Sequence, residues 1–394
     1  MTIPAHRKDR TTAVGRAVAL LAVAQWVFFQ ILLRNWDRVE VAARFYLGND
    51  FEYLYKAAGL FLSGKSPYGE QSFIPLPPAL YLPMALHHLS FWNALIAFRT
   101  INFVLVVAAM LWLCHQLRLN LLNSALVLVI SLTYAPFYSL LAGGNLDGLM
   151  LVLMVFACAR NKWLRGAFLG LSIGTKLYSA LLLPVLVLRR RWREAVWAIA
   201  ILVLVMLPFL PYWAEAFSSV LHRSSTLRLD GNESPAVLFI LLFGKTHVWL
   251  WRSCYLLLWG GTLLTKMAAD WGAPADGEEE RFRTLEYLPW MAGAPLLVFT
   301  YTGTILLPVM ALLIQRNQDR KLWWAEWLTA AGFALTGIYP MVLSMMLPGR
   351  LVTTVMMIAA PLGISAMLIG SSAVRTGRVR AQPSNSGALS AVTS

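Results

Sequence analysis

Charge is scarce in this 394-residue sequence. Asp, Glu, Lys and Arg together make up 13% of it, about half the share of a soluble domain. Hydrophobic residues make up 58% and the mean hydropathy is +0.62, so lipid is the expected solvent. Acid is the scarcer sign, 19 Asp and Glu against 33 Lys and Arg, a net +14. The basic residues fall in short loops between apolar runs, which points away from nucleic acid and toward cytoplasmic loops facing anionic lipid. Cysteine is nearly missing. Cys114, Cys158 and Cys254 all lie in apolar runs without metal-ligand spacing, so neither a disulfide framework nor a zinc site is expected. A P-loop, a Rossmann glycine fingerprint and a hydrolase nucleophile elbow are also lacking, which leaves soluble nucleotide chemistry without support. No cofactor is expected, although Asp50 with Asp147 stays open as a pair able to share a divalent ion.

What the chain does have is long apolar runs and aromatics, with 16 Trp and 13 Tyr to furnish two interfacial belts. An apolar run at 17–33 follows Arg7, Lys8, Arg10 and Arg16. It is long for a signal peptide and lacks a small-residue cleavage site, so it reads as an uncleaved first span. Further spans are expected at 91–115, 122–140, 145–159, 194–211, 247–265, 323–346 and 351–369. Orienting them with basic loops inside closes only if 166–188 and about 284–315 enter and leave on one side. Their turns are expected near Lys176 and near Thr300 to Gly303. The predicted fold is an all-α polytopic membrane protein of about ten to twelve helices, with re-entrant hairpins and a long outer loop at 34–90. One domain covers 1–374, and 375–394, rich in Ser, Ala and Gly, is expected to be a disordered cytoplasmic tail.

Two polar constellations stand out. Asp50 opens an amphipathic stretch whose stripe is Phe51, Leu54, Tyr55, Ala58 and Phe61. It reads either as a helix cap or as a general base for a hydroxyl nucleophile. Asn145 and Asp147, in GGNLDGLML at the outer end of a span, read either as an interfacial cap or as a functional pair, since an acid there needs water or a partner. Lys176, in the turn GTKLY, suits a phosphate or a snorkelling role. Arg99, Arg252 and Arg350 lie near the same face, each able to bind an anion. His222 is a loop histidine.

These pieces, in this order, resemble glycosyltransferase family 87 of the GT-C membrane transferases. The resemblance runs from Asp50, Phe51 and Tyr53 through Ser66-Pro67-Tyr68 and the proline-rich segment Pro75 to Pro83. It continues with Gly144-Asn145-Leu146-Asp147, then Gly166, Gly170, Lys176 and Leu177, and ends at the basic loop Arg189 to Arg193. It implies a GT-C-like fold, a polyprenyl-phosphate mannose or arabinofuranose donor, and Asp50 as the base deprotonating the acceptor in an inverting displacement. One departure is visible. Many relatives carry a Ser-Pro segment and then a histidine at the second turn, where this chain reads PLLVFTYTGTILLP with Tyr301 and Thr302.

The expected activity is transfer of a sugar, mannose foremost, from a polyprenyl-phosphate carrier to a hydroxyl of a lipid or glycan acceptor. It is expected at the outer face of a bacterial inner membrane, with the N-terminus cytoplasmic. Lys176, Arg350 and Arg99 would hold the carrier phosphate, and Asn145, Asp147, Tyr53, Tyr301 and His222 the sugar or acceptor. The rival readings are a flippase for lipid-linked sugar and a non-catalytic assembly subunit.

Overall fold

The computed structural model describes residues 48–224, 239–271, 278–293 and 300–333, apart from isolated positions within those ranges, and Ile364. The expected first span at 17–33, the last at 351–369 and the tail 375–394 lie outside the described residues. Among the described residues every regular element is helical.

Helix α1, Asn49–Leu62, is the amphipathic stretch anticipated after the first span, starting two residues earlier than Phe51. It buries Phe51, Leu54, Ala57 and Ala58, while Glu52 and Lys56 form an exposed ion pair at 2.6 Å. The hydrogen bond that Lys56 donates to Glu52 is the main cause that raises its ammonium above the usual lysine range. Helix α2, Phe91–Gln116, is 26 residues long, enough to cross a bilayer at about 1.5 Å per residue. The next apolar run is broken. Helix α3, Leu121–Thr133, and helix α4, Ala135–Gly143, meet at extended Tyr134 just before Pro136 and bend by 48°.

The run expected to span the membrane at 145–159 is instead a ten-residue helix, α5, Asp147–Phe156. Polar residues close both of its ends, so it is about 15 Å long and too short to cross. Two described helices are long and apolar enough to cross a membrane, α2 and the run Trp192–Ser219, or three if α3 and α4 count as one span. The chain continues past 265 as helix to Trp271, because Lys266 is paired rather than solvated: it meets Glu286 at 2.7 Å and also Asp270.

The segment 166–188 returns to the end it started from. Helix α6, Lys162–Thr175, stops at extended Lys176, and a 3-10 turn, Leu177–Leu181, leads into helix α7, Leu182–Leu188. Helix α8, Trp192–Met206, then runs parallel to α6. Gly166 abuts Glu194 and Ala198, Gly170 abuts Ala198 and Ile201, and Gly174 abuts Val205. The start of α8 is therefore level with the start of α6, where Arg165 and Glu194 pair at 2.9 Å. The hydroxyls of Ser172 and Ser179, 2.8 Å apart, join the two arms beside the turn.

Glycines at i, i+4 and i+8 let two backbones approach as no larger residue would. A Cβ at Gly170 would lie 2.4 Å from the Ala198 carbonyl oxygen, and one at Gly166 would lie 2.5 Å from that of Glu194. Backbone cannot swing aside. Gly170→Ala is expected to destabilise the fold by about 1–3 kcal/mol through overpacking, read as a lower melting midpoint in detergent. An unchanged midpoint would mean that α6 and α8 are not held this closely.

Beneath these helix starts lies a buried ionic layer. Arg189 donates to both oxygens of Glu280, at 3.1 and 2.6 Å, and Arg191 and Arg165 converge on Glu194. Glu286 receives Lys266 and Arg316, and Arg281 reaches Gln116 at the end of α2 at 2.9 Å. Buried charges persist where each has a partner, and this layer ties α2, α6, α8, the 3-10 segment Glu278–Tyr287 and helix α9, Leu307–Asp319, at one end of the fold.

Candidate active site

The opposite end is organised by one sharp turn. Helix α4 stops at Gly144, whose φ of +67° is left-handed and whose Cβ, if present, would lie 2.6 Å from Cβ of Phe51. Glycine satisfies both demands. Arg99, only 4% exposed, donates from Nε to the Leu141 carbonyl at 2.7 Å and from a terminal nitrogen to that of Ala142 at 2.5 Å. A cation on the last carbonyls of a helix is favourably placed. Gly48, just before α1, donates its N–H to the same Ala142 carbonyl at 2.8 Å. The first turn of α1 is thus fixed beside the turn that carries Asn145.

Asn145 is the junction. Its Nδ2 donates to Asp50 Oδ2 at 2.7 Å, while its Oδ1 accepts from Lys176 Nζ at 3.0 Å and from the Asp147 backbone N–H at 3.0 Å. The partners fix the amide's orientation, with its donor on a carboxylate and its acceptor on an ammonium. Lys176 also meets Asp147 Oδ1 at 2.8 Å. Asp147 is fully buried and takes two further donors, the Tyr178 hydroxyl on Oδ1 and Thr302 Oγ1 on Oδ2 at 3.2 Å. A continuous hydrogen-bonded path therefore runs from Asp50 through Asn145 and Lys176 to Asp147. Asp50 is half-buried, and 18% of the Lys176 side chain is exposed, so the path opens to solvent along its Asp50 and Lys176 edge.

Asp50 lies in the first turn of α1, and its carboxylate accepts from Asn145 Nδ2. Asn145 does cap α5 through the Asp147 N–H, and it also bridges two charged side chains.

Of the other candidates, Tyr53 is half-buried on α1, one turn after Asp50 and on the same side of the helix. Tyr301 belongs to the 3-10 turn Thr300–Leu306 and His222 to the helix Trp213–Ser224, but their side chains lie outside the described residues. Arg350 lies outside them altogether. Arg252 is exposed, 5.3 Å from the centroid of the Trp251 ring. Among the described residues no group of three or more His, Cys, Asp or Glu could hold a metal ion.

Two members of the network were not among the sequence candidates. Tyr178 follows Lys176 by two residues around an extended position, a spacing that returns side chains to one side, and this was the available signal. Thr302 comes from a distant 3-10 turn and has no local signature.

The sequence pattern that defines glycosyltransferase family 87 matches residues 75–284, more than half of the chain. The chain belongs to glycosyltransferase family 87. No curated protein matches it. The matched stretch of this family 87 glycosyltransferase contains Asn145, Asp147, Lys176 and Tyr178, together with the glycines that join α6 to α8. Asp50 precedes it and Thr302 follows it.

Proposed function

We propose that this glycosyltransferase moves a sugar, mannose foremost, from a polyprenyl-phosphate carrier to a hydroxyl of a lipid or glycan acceptor. The observation that carries the reading is the path from Asp50 through Asn145 to the Lys176–Asp147 ion pair. It places an acid able to take a proton and a cation able to meet a phosphate on one polar edge of an apolar fold. The acceptor oxygen attacks the anomeric carbon and loses its proton to Asp50, and the carbon–oxygen bond to the carrier phosphate breaks. The electron pair leaves with the polyprenyl phosphate, whose growing charge is stabilised by Lys176, with Arg350 as a second cation. Attack from the face opposite the leaving phosphate inverts the anomeric centre. Arg99 serves this site through the backbone of the Leu141–Ala142 turn.

A lipid donor is favoured because the fold is apolar and carries no nucleotide-binding motif. The basic loops, read as cytoplasmic, and the lack of organelle signals support the outer face of a bacterial inner membrane as the site of this reaction. The test is a panel of radiolabelled polyprenyl-phosphate sugars offered to purified protein in lipid together with membrane acceptors. Release of polyprenyl phosphate, with label on an acceptor, is expected for one donor. No transfer from any donor, with the labelled lipid instead crossing the bilayer of liposomes, would replace this reading by a flippase.

A second expected outcome concerns Asn145. Asn145→Ala keeps both Asp50 and Lys176 but removes the amide between them. Transfer is expected to fall by about tenfold or more through lost positioning. Asn145→Gln, which keeps the amide one methylene further out, should recover part of it. Equal rates for all three proteins would disconnect Asn145 from the reaction.

A further inference from the structure

We propose that the corner where α6 and α8 begin is a binding site for the headgroup of an anionic phospholipid, independent of the transfer site. Residues 157–165 and 188–194 carry seven Lys and Arg and a single acid, Glu194. Glu194 is only 3% exposed and already meets Arg165 and Arg191. Arg189 and Arg191 turn inward to Glu280, while Lys162, Arg190 and Arg193 are exposed. Because α6 and α8 start level with each other, Arg165, Arg189 and Arg191 are engaged with Glu194 and Glu280, while Lys162, Arg190 and Arg193 lie on the exposed face of the corner, where an external anion can meet them.

The surroundings favour a lipid over a free anion. Trp163, Trp192 and Trp197 stand in the same corner at 48%, 56% and 46% exposure, with the rings of Trp163 and Trp197 6.5 Å apart. Indoles with one apolar body and one polar edge suit the headgroup level of a bilayer. From this corner an exposed apolar stripe runs down α8 through Val196, Ile199, Val203 and Leu207, at the spacing of one helix face. The apolar stretch of Trp192–Ser219 is mostly uncovered by the rest of the protein, whereas about half of that of α2 is buried. A phosphodiester in the corner with acyl chains along this stripe satisfies the charge and the apolar face together. Basic sites between membrane helices take anionic headgroups in this way.

The test uses the full chain in nanodiscs of mixed phosphatidylglycerol and phosphatidylcholine, with retained lipid counted by native mass spectrometry after detergent exchange. Wild type is expected to keep phosphatidylglycerol in preference to phosphatidylcholine. Lys162→Gln/Arg193→Gln should weaken that retention by about fivefold per cation removed. Lys56→Gln/Lys65→Gln removes the same charge from exposed positions on and just after α1 and is expected to leave retention unchanged. Equal retention of both lipids by wild type, equal loss in the two double variants, or no loss in Lys162→Gln/Arg193→Gln would overturn the site. Displacement of the lipid by millimolar glycerol 3-phosphate would show that the corner takes any phosphate, and would overturn the lipid assignment. A variant that fails to fold is replaced by Trp197→Ala, which keeps the charge and should lose retention by removing the aromatic wall. Unchanged retention in that variant would likewise overturn the site.

Discussion

Asp50→Asn is expected to cut sugar transfer by about 10²–10⁴-fold, the range lost with a positioned general base, while the protein folds as before. The substitution preserves shape, and the new amide oxygen can still accept from Asn145 Nδ2, which now lies 2.7 Å from the carboxylate. The capacity to take the acceptor's proton is what disappears. Measuring polyprenyl phosphate release beside the thermal midpoint separates chemistry from stability. Asp50→Glu is a useful companion. A longer side chain must find room against the turn at Gly143, whose absent Cβ would lie only 3.4 Å from Asp50 Oδ2, so partial activity is expected. Undiminished transfer by folded Asp50→Asn protein would take Asp50 out of the reaction.

Lys176→Met should fail in two ways at once. Asp147 is fully buried, and removing the ammonium at 2.8 Å leaves its carboxylate with the hydroxyls of Tyr178 and Thr302 but without that charge. Breaking a buried pair from one side costs about 3–5 kcal/mol, so the melting midpoint should fall sharply. Lys176→Met/Asp147→Leu removes both charges and is expected to regain most of the stability. Transfer should remain down by about 10²–10³-fold, the size of a lost charge-stabilising group. Recovery of both stability and transfer in the double variant would make Lys176 purely structural. Recovery of neither would mean that Asp147 is needed for more than its partner's charge.

The sequence disclosed the site's parts better than its assembly. Asp50 at the head of an amphipathic stretch, Asn145 and Asp147 in a glycine turn, and Lys176 at a helix break were each visible because a polar residue in an apolar setting needs a reason. Their junction was not visible, since nothing in the periodicity of α1 says that it lies against the turn after α4. Arg99 illustrates the limit. Its charge suggested a phosphate, but its register on α2 brings it to the Leu141 and Ala142 carbonyls, a destination set by tertiary packing. The return of 166–188 was legible from charge, because a single crossing would have placed Arg189 to Arg193 opposite Arg165. The run at 145–159 misled because hydropathy counts apolar residues without registering that Asn145, at one end, and the hydrogen bond between Cys158 and Thr284, at the other, belong to polar layers. Thr302 could not have been found locally, because its turn meets Asp147 from 155 residues further along the chain.

Those two layers fix a depth. Asp147 to Cys158 along α5, and Arg165 to Lys176 along α6, each cover about 16 Å of helix rise, whereas bilayer hydrocarbon is about 30 Å thick. Helix α2 covers about 25 Å of rise between Gln116 in the ionic layer and Arg99 beside the Asn145 turn, a longer path than α5 or α6 takes, and it continues back to Phe91, about 12 Å further. On the proposed reading, with α2 spanning the bilayer, Asp50 and Lys176 would lie beneath its surface and the carrier phosphate would have to descend to them. Such a protein thins the bilayer around itself or draws water down, and both become harder as acyl chains lengthen. Membrane thickness therefore enters the energetics of substrate access, and this enzyme should turn over faster in thin bilayers than in thick ones with every contact in its site unchanged.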